Sequence, residues 1–67
     1  MTTVKVIELL GESSESWEDA AQQAVNDAEE TLENITGIEV EEQTADVEDG
    51  QITSYKTTVH VAFALNR

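Results

Sequence analysis

Few side chains in this sequence have the chemistry to act on a bound molecule. His60 is the only histidine, cysteine is absent, and 15 carboxylates face three basic residues. His60 has the one unperturbed pKa near neutrality, but no serine or cysteine stands beside it in a nucleophile motif. It reads as a surface or interface histidine. Glu39, Glu41 and Glu42 form one acidic group, and Asp46, Glu48 and Asp49 form another. Either offers oxygen ligands to a hard cation such as Ca²⁺ or Mg²⁺. The spacing of an EF-hand is absent, so a solvated acidic face accounts for these groups and no metal site is assigned. There is no glycine-rich phosphate loop. Without nucleophile, metal cluster or phosphate cradle, the chain reads as a binding or structural protein and not an enzyme, with no catalytic residue assigned.

The elements that must position these groups follow from periodicity. Val4 to Leu10 is rich in β-branched residues and is closed by Gly11, which predicts a strand. Glu12-Ser13-Ser14 offers helix caps, with Ser14 the expected N-cap, and Glu15, Glu18 and Asp19 suit the positive end of a helix dipole. Trp17, Ala20, Ala21, Ala24, Val25, Ala28, Leu32 and Ile35 form a helical stripe, predicting a helix from about Glu15 to Asn34. Ala20, Ala24 and Ala28 make a ridge of small residues that lets a helix lie close against a sheet. Trp17 falls on this stripe and reads as packing. Gly37 follows as the helix stop. Ile38 to Glu48 is a second strand, with a phase shift that suggests a bulge or a strong twist near Glu42-Gln43-Thr44. Asp49-Gly50 marks a hairpin, and Ile52 to Leu65 is a third strand. On that strand Tyr55, Thr57, Val59, Val61, Phe63 and Leu65 line one face. Lys56, Thr58, His60, Ala62 and Ala64 line the other.

The expected architecture is α+β, a β-α-β-β subunit with a three-stranded antiparallel sheet packed on one long helix, in a single domain spanning residues 1–67. A chain of this size buries only about 60% of the surface its unfolded form exposes. Disulfides and thiolate metal sites are excluded by the lack of cysteine. One helix covers one face of the sheet, and the other face is small and semi-polar, so contact with further copies of the chain is the remaining source of stability. The net charge of −12 argues against nucleic acid and against an anionic membrane as partners. The acids are spread over every element, which suits high salt, where a Debye length of about 3 Å at 1 M quenches self-repulsion. No apolar run approaches a membrane span and Met1–Lys5 shows no signal-peptide pattern, so the cytoplasm is the expected location.

The ordered set of segments resembles the dodecins, small flavin-binding proteins that assemble as hollow dodecamers. The resemblance rests on Val4–Gly11, Ser13–Ala21, Asn34–Val40, Asp49-Gly50, Tyr55 and Val59–Leu65, and covers nearly the whole chain. It implies a homo-dodecamer with pockets at subunit contacts that store or sequester a flavin such as riboflavin or FMN. In that family pattern a tryptophan stacks on the isoalloxazine ring, a glutamine bonds its polar edge, and an acidic residue serves the ribityl region. Here Gly37 stands at the tryptophan position, Lys56 at the glutamine position, and Glu42 keeps the acid. Loss of the stacking platform implies about 1–3 kcal/mol less stacking, or about tenfold to a hundredfold in affinity. The resemblance also admits a shell that has lost strong flavin binding and holds divalent cations instead.

Overall fold

The structure is a computed structural model and describes residues 3–65. The chain runs β1 (Thr3–Ser13), α1 (Trp17–Glu29), β2 (Ile35–Glu48) and β3 (Gln51–Leu65). One antiparallel sheet has the order β1-β3-β2, so the last strand is central. β1 and β2 both pair with β3, and α1 carries the chain from one sheet edge to the other. This is the β-α-β-β fold the sequence predicts. β3 takes the centre with the cleanest alternation. Its Thr57, Val59, Val61 and Phe63 are buried on the side facing α1, and the residues between them point the opposite way. The hairpin is tight: Glu48 pairs with Gln51, and Asp49 and Gly50 both adopt positive φ, at 53° and 77°, as a two-residue type I′ turn requires.

The helix differs from expectation at both ends. Its N-cap is Ser16, two residues after the expected Ser14, and the Ser16 hydroxyl accepts from the Asp19 N–H at 3.0 Å. Ser13 is used otherwise: its hydroxyl donates to Asp19 Oδ2 at 2.6 Å and accepts from the Glu15 N–H. The helix stops at Glu29, not Asn34. Its last turn holds no basic residue, and Asp27, Glu29 and Glu30 sit where the helix dipole disfavours negative charge. Leaving the helix also lets Leu32 and Ile35 fold back against the core. The left-handed residue after the helix is Asn34, φ 65°. Gly37 is no helix stop; it lies inside β2 opposite Ala62.

Nor is Gly11 a strand terminus. β1 continues to Ser13, and Gly11 marks where the helix backbone touches the sheet. A Cβ on Gly11 would lie 1.9 Å from the carbonyl oxygen of Ala20 and 3.2 Å from the Ala24 methyl. The alanine ridge, Ala20, Ala21, Ala24 and Ala28, is buried along this contact. Trp17 fastens the start of the helix. Its indole N–H donates to the Thr44 carbonyl at 2.7 Å, and its ring meets Tyr55 edge-on at 4.9 Å. Its own carbonyl accepts from the buried Thr57 hydroxyl at 2.8 Å.

The helix lies over β1 and β3 and barely reaches β2. Ile38 and Val40 on the helix side of β2 therefore remain 40% and 49% exposed. On the opposite sheet face Val4, Val6 and Leu10 are exposed as well. The subunit measures 52 × 20 × 12 Å with a radius of gyration of 13.7 Å, against about 11 Å for a compact chain of this length. Among the described residues no helix is long and apolar enough to cross a membrane. Gly11→Ala is expected to lose about 1–3 kcal/mol through overpacking, read by denaturant unfolding. Gly37→Ala, whose new methyl meets nothing within 4 Å, should change stability by less than about 0.5 kcal/mol.

Candidate functional site

The polar residues of interest gather on the sheet face turned away from α1, and the strand register puts them there. His60 on the central strand pairs with Glu8 on one side and Glu39 on the other. Directly opposed residues share a face, so the three side chains form one row across all strands. The register then slips between Val40 and Glu42. The extra residue of this bulge, Glu41, has no partner in the ladder and swings its carboxylate to the same row. The bulge lies one residue ahead of the expected Glu42-Gln43-Thr44. It returns Ala45 to the helix side, opposite Tyr55.

The resulting distances are short. His60 Nε2 lies 3.2 Å from Glu8 Oε2, and His60 Nδ1 lies 3.6 Å from Glu39 Oε1 and 3.8 Å from Glu41 Oε2. Donor atoms of Glu39, Glu41 and His60 all fall within 4.8 Å of one another. The imidazole pKa is raised above its ordinary 6.5, first by the hydrogen bond to Glu8 and then by the negative charges of Glu41, Glu8 and Glu39, with desolvation acting against them.

Gly37, Glu42 and Lys56 occupy this same face, but the subunit does not bring them together. Gly37 lies opposite Ala62 and Glu42 opposite Thr58. From Ala62 to Lys56 is six residues of β3, about 20 Å. A pocket joining Gly37 to Lys56 therefore requires more than one copy. Lys56 is already engaged within its own chain, 3.2 Å from Asp46 Oδ2. A shallow hollow of about 290 Å³ opens beside Gly37, lined by Val6, Gly37, Ile38, Glu39, His60 and Ala62. It has no aromatic wall: Trp17 and Tyr55 pack on each other and Phe63 is buried.

The grouping of His60 with Glu8, Glu39 and Glu41 is the feature that sequence reasoning missed. His60, Glu39 and Glu41 were each visible alone; Glu8 was visible only as part of the first strand. The signal for the grouping was the parity of His60, which becomes informative only once β3 is known to be central and its register with both neighbours is fixed.

A three-stranded antiparallel sheet with one helix on one side and a polar row on the other defines a small β-α-β-β subunit. The particular family follows from comparison with known proteins: the chain belongs to the dodecin family, whose model matches residues 3–66. It is 34% identical over 65 residues to calcium dodecin of Mycobacterium tuberculosis, covering 97% of this chain and 92% of that one. The crystal structure of calcium dodecin superimposes with a TM-score of 0.82 at 35% identity, covering 96% and 91% of the two chains. Dodecin from Streptomyces davaonensis gives a TM-score of 0.93 at 33% identity, covering 98% and 97%. A Thermus thermophilus protein gives 0.95 at 30% identity, covering 100% and 98%.

Because the folded pKa of His60 is raised, its imidazolium contributes stability fully below the unfolded value near 6.5 and loses it as pH rises through the folded value. In buffer with a chelator, NMR titration of this single imidazole should give a midpoint above 6.5. Glu8→Gln should lower that midpoint more than Glu39→Gln, since Glu8 supplies the hydrogen bond as well as charge.

Proposed function

We propose that this chain is the repeating unit of a homo-oligomeric shell that holds divalent cations on the sheet face its own helix leaves bare. The convergence of Glu39, Glu41 and His60 donors within 4.8 Å carries this reading. The kinship to a protein named calcium dodecin supports the ligand class. Assembly is supported by the elongated subunit and by apolar residues exposed on both sides of the sheet. The family pattern supports a dodecamer as the form of that shell. A binding role in place of catalysis, a cytoplasmic setting and adaptation to high salt complete the reading, the last motivated by the net charge of −12.

A flavin is the second ligand, favoured by the hollow at Gly37 and by the family pattern. Such a site would use Gly37 as open floor, with Lys56 and Glu42 supplied across a subunit contact. Lys56 would have to exchange its Asp46 partner for the ligand, a change of about 0–1 kcal/mol for an exposed pair. The missing aromatic keeps affinity low.

Light scattering should give a mass many times that of one chain in molar salt, and calorimetric titration with divalent chlorides should show saturable binding. A single-chain mass at all salt concentrations, or heat no greater than dilution, overturns the reading. Riboflavin should bind the parent weakly and Gly37→Trp about tenfold to a hundredfold more tightly; equal affinities remove the role assigned to Gly37.

A further inference from the structure

The cation reading leaves open which ion the row selects, and its donor set decides that. We propose that His60, Glu39 and Glu41 form a site for a first-row transition dication of the Zn²⁺ type, with His60 Nδ1 as nitrogen ligand and Glu8 as the positioning residue. The inference rests on the cation reading and sharpens it.

Three observations lead there. First, the cluster is not acidic alone: its centre is an imidazole, held by backbone pairing to both neighbouring strands. Imidazole suits Zn, Cu, Fe and Ni, whereas Ca²⁺ and Mg²⁺ take oxygen. Two carboxylates fall well short of the six to eight oxygens Ca²⁺ gathers. Second, the two ring nitrogens have separate neighbours. Nε2 faces Glu8, while Nδ1 faces Glu39 and Glu41. An Nε2–H donating to Glu8 leaves the Nδ1 lone pair directed at the two carboxylates. Metal-binding histidines use this arrangement, in which a carboxylate on the far nitrogen fixes tautomer and ring orientation. Third, the spacing is close to that of an occupied site. Ligands about 2.0–2.2 Å from a tetrahedral ion lie about 3.4 Å apart. The Nδ1 separations of 3.6 and 3.8 Å need only a few tenths of an ångström of closure, while the donor set as a whole spans up to 4.8 Å, so the two carboxylates must draw further together. The carboxylates of Glu39 and Glu41 are 74% and 41% exposed and free to make it. Water would complete the coordination.

The Val40/Glu42 bulge is what makes the set possible. A regular ladder would alternate Glu39, Val40 and Glu41 across the sheet but would leave Glu41 one pair further from His60; the unpaired bulge residue stays in reach. The ion would also cancel two of the three negative charges crowded around one imidazole.

The test uses the assembled full chain. With Zn²⁺, calorimetry should show one ion per chain, and nitrogen NMR should show a large displacement of His60 Nδ1 relative to Nε2. Co²⁺ should bind with visible absorption bands, be displaced by Zn²⁺ and resist a tenfold excess of Ca²⁺. His60→Gln should abolish the bands. Glu8→Gln should keep the bands and weaken affinity about 10- to 100-fold. An unmoved Nδ1 in the unaltered protein overturns the proposal even if the variants fail to assemble. Equal Co²⁺ affinity in His60→Gln, or displacement of Co²⁺ by equimolar Ca²⁺, overturns it as well. Saturable Ca²⁺ binding with His60 untouched would sink this site and leave the broader cation reading standing; no binding of any dication would sink both.

Discussion

The subunit depends on a backbone-to-backbone approach between α1 and β1. The Ala20 carbonyl sits where a side chain on Gly11 would be, and the alanine ridge lets the helix settle there. The ties at the start of the helix go with that closeness. Thr57 can reach the Trp17 carbonyl, and Trp17 can reach across to Thr44. The core is correspondingly thin, made of alanines against Val59 and Val61 with Ile7, Leu9, Leu32 and Ile35 at its margin.

A helix drawn this tightly onto β1 and β3 cannot also cover β2. The subunit is thus incomplete on two surfaces: the whole far face of the sheet, and the helix side of β2 around Ile38 and Val40. Burial on folding contributes about 25 cal/mol per Å², and chain entropy in so small a domain offsets most of it. In the proposed shell, self-association would supply the missing burial without enlarging the chain, at the cost of bringing many carboxylates together. Those charges would weaken contacts in dilute buffer and be screened in brine.

Much of this was readable in the sequence because local and tertiary preferences agree. The alternation of Tyr55 to Leu65 and the Asp49-Gly50 turn determine β3 and its hairpin. The helix ends were not readable. Periodicity extends through Leu32 and Ile35 whether those residues are helical or folded back, and dipole-disfavoured acids at Glu29 and Glu30 tip the balance. Gly11 and Gly37 were both misassigned for a related reason: a glycine needed for contact, as Gly11 is, or one lying inside a strand, as Gly37 does, looks the same in sequence as one needed for a turn. The site was partly readable. His60 and the glutamates were recognisable donors, but their meeting depends on strand order and on one unpaired residue. The placement of Gly37, Glu42 and Lys56 at one pocket came from family resemblance, and within one chain they stand apart along β3.

The clasp made by Trp17 has a practical corollary. The indole is the chain's single strong fluorophore, and it is tethered to β2 through Thr44 while touching the phenol of Tyr55 on β3. Tyrosine excitation should pass to the indole by resonance transfer only while helix and hairpin remain docked. The molecule thereby carries a built-in optical gauge of its own tertiary closure, with no label attached.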